Sequence, residues 1–455
     1  MVTIFGVLKA AATFVVLHPG TRRDRLAFLF ESAEPAAIIT DSRRLRAARD
    51  LLEPEASLRC IVLADDRRVE LATPTTELTW GDLQQYDARR PDCKAIDVDL
   101  AMLIYTSGTT GEPKGVMVSH ANMLAATRSV NAYLHNTPED VILNVLPLAH
   151  GYGLYQLFLA FDAGARVVLE QGFAFPARII ELLETERVTA LPGVPTLFAL
   201  LLRYPDLLSR QFPSLRYLTN AAAALPTAHI EQLKAAFPNA AIISMYGQTE
   251  CKRVSYLPAP ELDKRPDSVG IAIPNTEVYI IDENGHRLPA GEVGELVVRG
   301  SHVARGYWKS PELTQRKFRA GPIAGETVLH TGDLFRMDKE GFLYFVGRKD
   351  DIIKCRGEKV SPREVENSVC RLEGVAEAAV VGVEDEVLGQ AILLVVGQRP
   401  GAHLTEREVR AHCMRTLEDF MQPKYVDIVS DLPRNENGKV DKLRIQAEFV
   451  RPNCA

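Results

Sequence analysis

The chain has 455 residues, 46% hydrophobic and 25% charged, with a formal net charge of −6. That composition supplies apolar material for about two to four structural units, and the acidic balance gives no reason to expect nucleic acid as a partner. No apolar run is long enough to span a bilayer, and the start lacks the pattern of a signal peptide. The seven cysteines, Cys60, Cys93, Cys251, Cys355, Cys370, Cys413 and Cys454, show no C-x-x-C pair and no Cys/His ligand spacing. They read as reduced thiols of a cytoplasmic protein rather than a zinc site or a disulfide framework.

In chain order, residues 4–11 carry helical apolar spacing and residues 13–17 read as a buried strand. The chain therefore opens inside a βαβ unit with no earlier strand to pair with. The expectation is a start truncated relative to a complete first subdomain, or a protein that is short at this end. Strand and helix patterns then alternate to about Phe237, with strands at 37–40, 60–63, 165–169 and 241–244 and helices at 175–186 and 227–237. That order predicts α/β layers on largely parallel sheets.

From Thr276 short strands broken by Asn284, Gly285, Gly291, Gly300 and Gly341 predict a β-rich subdomain. Past Arg348 a small α+β unit follows. A helix at 362–372 is opened by Pro362, strands lie at 376–383 and 391–396, and a helix at 405–418 starts with a Thr405/Glu408 capping box. The predicted fold class is α/β: a large N-terminal domain of stacked α/β subdomains plus a β-rich subdomain, residues 1–348, and a small α+β C-terminal domain, residues 349–455.

The strongest chemical signal is YTSGTTGEPKG at residues 105–115, directly after the apolar residues 101–104. Small hydroxyl residues (Thr106, Ser107, Thr109, Thr110) and glycines (Gly108, Gly111) let a backbone close around phosphate oxygens, and Lys114 adds a point charge. The spacing differs from the G-x-x-x-x-G-K-[ST] loop of the usual NTPases. A flexible turn with a solvated lysine would explain a lone glycine loop, but not a run of this length and composition. The run resembles the phosphate loop of the adenylate-forming superfamily: acyl-CoA synthetases, firefly-luciferase-like enzymes and the adenylation domains of peptide synthetases. Among these it looks most like an AMP-forming acyl-CoA ligase.

Four further segments follow in that superfamily's order. In MYGQTE at 245–250, the resemblance implies that Tyr246 packs on adenine, Gly247 belongs to the nucleotide site, Thr249 contacts phosphate and Glu250 helps hold Mg²⁺. An aromatic face suits a base and a carboxylate suits a hard cation, although a strand-end turn with a surface glutamate would look the same in isolation. TGDL at 331–334 resembles the segment whose aspartate accepts the ribose hydroxyls, a role that would fall to Asp333. VGRKDDIIK at 346–354 adds Arg348 to the ribose and puts Asp350 at an interdomain hinge. LPRNENGKVD at 432–441 resembles the loop that carries the adenylation lysine, here Lys439, whose plain alternative is one more solvated lysine near a terminus.

The resemblance implies ATP and Mg²⁺ as cofactors and a small-molecule carboxylic acid as substrate. Carboxylate and triphosphate repel, so catalysis is expected from positioning and charge neutralisation. The C-terminal domain is then expected to swing about Asp350 as a lid, bringing in the face with Arg356 and Gly357. That step admits the thiol of CoA, or the phosphopantetheine of an acyl or peptidyl carrier protein. A carrier-protein-loading adenylation enzyme, a luciferase-like oxygenase and a non-catalytic nucleotide-binding remnant are the alternatives.

For the acid, PLAHGYGLY at 147–155 matches the segment where many amino-acid-activating members place an aspartate for the substrate ammonium; here that position is Gly151. An ammonium buried without a partner is costly, which favours a fatty, aryl or other non-amino acid. His150 either gates the acyl pocket or packs as a neutral core histidine. Small residues at Ala222 and Ala223 leave room for an elongated acyl group.

Overall fold

In the computed structural model the described residues are 1–455, except 53–56, 70–74, 90, 93, 108–112, 222, 224, 350, 356–357, 386–387, 435–439 and 450–455. The chain divides into two compact units. The first comprises Met1–Val254, Ile273–Thr276 and Arg299–Leu329; the second comprises Ser255–Ala272, Glu277–Val298 and His330–Ala455.

In the first unit a three-stranded parallel sheet places Cys60–Leu63 between Ala37–Thr40 and Thr76–Thr79. Its central strand is apolar because Ile61 and Leu63 point into a cluster with Phe30, Leu45 and Leu52. A second parallel array has the order Ala241–Tyr246, Tyr217–Asn220, Ala190–Gly193, Val141–Asn144, Arg166–Leu169. Helices on its faces bury Ile142, Leu143, Leu191 and Leu218 completely. Such strands read as continuous apolar runs rather than alternating ones, which is how they were visible in the sequence. Pro176 and Pro195 open two of the helices at the position where a missing N–H costs nothing.

Two local features differ from expectation. Residues 13–17 do not form a strand. Phe14 alone makes a parallel bridge to Met102, giving one hydrogen bond to Ala101 and taking one from Leu103. The ladder stops there because Pro19 follows and His18 folds back, its Nδ1 accepting from the Gly20 N–H at 3.0 Å. The second difference is an antiparallel return: Leu100–Ser107 is paired by Pro113–Ser119. Lys114 is therefore a strand residue opposite Thr106 rather than part of a loop.

Strands Thr276–Ile281, Val293–Gly300 and Thr327–Met337, most of whose residues belong to the second unit, lie side by side, with Leu343–Arg348 antiparallel on the last. A further sheet orders Glu358–Val360, Ile353–Cys355, Gly389–Gln398 and Val375–Asp385, with Tyr425–Val429 parallel to Gly389–Gln398. Helices Pro362–Val369 and Glu406–Thr416 pack Val365, Val369, Val409 and Cys413 onto this sheet. The Thr405/Glu408 capping box is formed, the Thr405 hydroxyl accepting from the Glu408 N–H at 3.3 Å.

Candidate active site

Tyr246 ends the last strand of the five-stranded parallel array, so the residues after it lie at the carboxyl ends of the strands. Open α/β sheets bind ligands there. The chain turns back at once: the Val254 N–H bonds the Tyr246 carbonyl at 2.9 Å. Gly247 makes this possible, since a Cβ there would sit 2.4 Å from the Lys252 carbonyl oxygen. Thr249 and Glu250 lie half-buried in this returning loop.

Glu250 is fixed from two sides. Its backbone carbonyl accepts the Ala304 N–H at 2.8 Å, and the Tyr307 hydroxyl donates to its Oε1 at 2.6 Å. Tyr307 is buried and braced edge-on against Phe318. The segment carrying it is sewn to the strand bearing Lys114, because Met117 N–H bonds the Gly306 carbonyl and Trp308 N–H bonds the Gly115 carbonyl. Asn122 holds the same segment through the carbonyls of Ser301 and Val303. The structure thus brings the Thr106/Lys114 hairpin, Thr249 and Glu250 onto one framework within the first unit. Tyr307 was missed from sequence: it stands 57 positions from Glu250 and no motif couples them.

On the hairpin, Tyr105 lies against Gly115, where a Cβ would come within 3.1 Å of the ring. Its hydroxyl meets Ser32 at 2.9 Å. Burial raises the Tyr105 pKa against the opposing effect of that bond, so this phenol stays neutral.

His150 is exposed and forms the N-cap of helix Gly151–Ala163, its ring 6.5 Å from that of His18. This overturns the reading of a packed core histidine. Gly151 lies beside Ile104 and the Lys252 ammonium, which a Cβ at this position would meet at 3.8 and 3.9 Å. Tyr152 shares a 2.7 Å hydrogen bond with the Thr219 hydroxyl. Burial pushes its pKa up to about 12, with the Arg253 charge opposing. Ala223 is exposed and its carbonyl accepts from the Asn220 side chain at 2.9 Å.

In the second unit Asp333 and Arg348 are cross-strand partners, the Arg348 Nε 3.3 Å from the Asp333 carboxylate. Asp333 is 5% exposed and Arg348 41%, so the acid is held in place while its arginine reaches outward. Gly332 takes φ 70°, the left-handed region that favours glycine, and its N–H donates to Glu295 at 3.0 Å. Burial works to raise the Glu295 pKa, but Lys349 at 3.0 Å and the Gly332 N–H prevail and hold it below the usual value. The segment carrying Lys439 is bracketed by an antiparallel bridge between Arg434 and Val440.

Gly108, Thr109, Thr110, Gly111, Ala222, Asp350, Arg356, Gly357 and Lys439 lie outside the described residues, and for Ser107 only the backbone is described. Among the described residues no three His, Cys, Asp or Glu side chains gather as a metal cage. No helix among them is long and apolar enough to cross a membrane.

The profile of the AMP-binding enzyme family matches residues 1–308, and that of the AMP-binding enzyme C-terminal domain matches residues 364–439. The chain belongs to the AMP-binding enzyme family. Sulfoacetate–CoA ligase of Cupriavidus necator is 33% identical over 96% of this chain and 80% of that protein. Tyrocidine synthase 3 of Brevibacillus parabrevis is 31% identical over 97% of this chain and 7% of that protein. The crystal structure of ATP-bound MatB from Rhodopseudomonas palustris superposes with a TM-score of 0.87 at 28% identity, over 98% of this chain and 86% of that one. The chain spans 65% and 62% of two further curated CoA ligases.

Proposed function

We propose that this chain is an acid–thiol ligase. It joins a carboxylic acid to ATP as an acyl-adenylate, and then passes the acyl group to a thiol, most simply that of CoA. The observation that carries the reading is the Glu250 carboxylate, held by Tyr307 beside the hairpin of Thr106 and Lys114 at the carboxyl ends of a parallel sheet. In the first half-reaction a carboxylate oxygen attacks the α-phosphorus of ATP, a C–O–P linkage forms, and the bond to pyrophosphate breaks. In the second, the thiol sulfur attacks the acyl carbonyl and AMP leaves.

The phosphates would be cradled by residues 106–111, with Lys114 and Thr249 neutralising charge, Tyr246 against adenine and Gly247 in the nucleotide site. Asp333 would accept the ribose hydroxyls, with Arg348 beside it. Mg²⁺ is usually held by one or two carboxylates plus the phosphates themselves rather than by an all-protein cage. A single oriented Glu250 fits that requirement, and the ion would supply charge neutralisation at the phosphates. Residues 349–455 would act as the lid, turning about Asp350 so that Lys439 serves the adenylation and the face with Arg356 and Gly357 serves the thiol step.

A carrier-protein acceptor is the second reading, favoured by the match to a peptide synthetase along nearly the whole chain. Loading assays with CoA and with a phosphopantetheinylated carrier protein separate the two. The adenylation itself is tested by acid-dependent pyrophosphate release, with hydroxylamine trapping the adenylate. Lys439→Ala should lower that release by roughly 10²–10³-fold with an unchanged melting midpoint. An unaltered rate would remove Lys439 from the mechanism.

A further inference from the structure

Beside the candidate acyl site stand two adjacent cations without an anion. Arg253 is 3% exposed, and its Nε has no hydrogen-bond partner. Its guanidinium lies 5.2 Å from the Tyr152 ring centroid. The Lys252 ammonium lies 5.5 Å from the same ring and 4.5 Å from that of Tyr155, and donates to the Gly151 carbonyl at 2.5 Å. Among the described residues, no carboxylate lies within ion-pairing distance of either. Cation–π contact offsets only part of the penalty for taking an unpaired ion out of water.

The setting sharpens the imbalance. Lys252 has φ 61°, an uncommon conformation for a lysine, in a turn closed by the Arg253 N–H on the Cys251 carbonyl at 2.6 Å. His302, buried near the Arg253 backbone, is pushed down to about 4 by burial and adds no charge at neutral pH. Both cations approach the first turn of helix Gly151–Ala163, whose N-cap His150 supplies no side-chain cap. The positive end of the helix dipole adds to the same field.

We propose that Lys252 and Arg253 bind a second anionic group on the acid substrate, a carboxylate or sulfonate remote from the carboxyl that is adenylated. This rests on the proposed adenylation and on the reading of His150 and Gly151 as acyl-pocket residues. An anion seated here gives Arg253 the partner it lacks and takes the free N–H bonds of Lys252. The same two charges repel the ammonium of an α-amino acid.

The test uses the full chain and matched acids: short α,ω-dicarboxylates, their mono-methyl esters, sulfocarboxylates and plain monocarboxylates. Dianions should exceed their half-esters by about tenfold or more in kcat/KM for pyrophosphate release, since loss of one charged contact is worth at least that much. The carboxylate and sulfonate arms identify which anion is preferred. Arg253→Met and Lys252→Met should erase the preference through KM for the acid while leaving KM for ATP unchanged. Half-esters and monocarboxylates preferred by the unaltered chain, or variants that raise KM for ATP instead, overturn the proposal. Should Arg253→Met fail to fold, Lys252→Met and the matched pairs on the unaltered chain still decide. If no acid releases pyrophosphate, the adenylation reading fails by itself. Calorimetric titration with the dicarboxylates then decides the anion site, binding that is lost in Lys252→Met supporting it and absence of binding ending it.

Discussion

At the amino ends of the five-stranded parallel array, Asp140 takes two hydrogen bonds from Arg216, at 2.9 and 2.7 Å, one from the Thr189 hydroxyl and one from the Thr137 N–H. Nearby, Arg166 pairs with Glu186 and Arg210 with Glu184. A depression lined by Glu139, Arg166, Glu186 and Arg216 opens there, but its charges are largely spent on one another. At the carboxyl ends of the same sheet, Glu250 is steadied by a hydroxyl rather than a cation, and Lys252 and Arg253 face aromatic rings rather than carboxylates. Charge satisfied internally supports the fold. Charge oriented but left over costs stability and is available to a ligand, so the two ends should answer to different measurements.

The comparison is tested most severely at Glu250. Glu250→Gln keeps the shape and an acceptor for Tyr307 but removes the negative charge. Acid-dependent pyrophosphate release should fall by roughly 10²–10³-fold, while the melting midpoint moves by no more than a surface substitution would move it. A large loss of stability with activity retained would make this end structural too.

Asp140→Asn is the counterpart. Burial works to raise the Asp140 pKa, but Arg216, Thr189 and the Thr137 N–H prevail and hold it below the ordinary carboxylate value. A depressed carboxylate adds stability above its unfolded pKa, near 3.9, and that contribution is lost as pH falls through the folded value. The variant should therefore be less stable than the parent at pH 7, by roughly 2 kcal/mol once discounted for an Arg216 that is 41% exposed. The gap should close as pH drops below about 4. Denaturant melts at several pH values measure this, and KM for ATP at pH 7 should not change.

How much of this was legible follows from range. Parallel strands buried on both faces announced themselves as apolar runs, and Thr405 and Glu408 announced a helix start, because those signals span a few residues. The YTSGTTGEPKG and MYGQTE runs were legible because several chemically unusual residues sit together. The Lys114 strand was not foreseen, since pairing across residues 108–112 depends on where the chain returns. Residues 13–17 looked like a strand by composition but pair through Phe14 alone. Tyr307 and the Lys252–Arg253 pair left no signal, because what matters in each case is a neighbour distant in sequence: Glu250 for the first, Gly151 and Tyr152 for the second.

Tyr307→Phe sharpens the contrast with the smallest change, one oxygen. The ring keeps its edge-on packing against Phe318, 5.5 Å between centroids, so a loss of folding is not expected. What disappears is a 2.6 Å donor to a carboxylate, a charge-assisted bond worth about 1.5–3 kcal/mol when no water replaces it. Glu250 is only half-buried, so water can take part of that role, and the expected loss of kcat is about tenfold or less. The diagnostic is the dependence on Mg²⁺. A carboxylate that must be oriented anew for each encounter should raise the Mg²⁺ concentration for half-maximal rate, leaving KM for the acid unchanged. If KM for the acid moves and the Mg²⁺ requirement does not, Tyr307 belongs to the acyl pocket, and Glu250 is oriented by its own loop and the Ala304 N–H on its carbonyl.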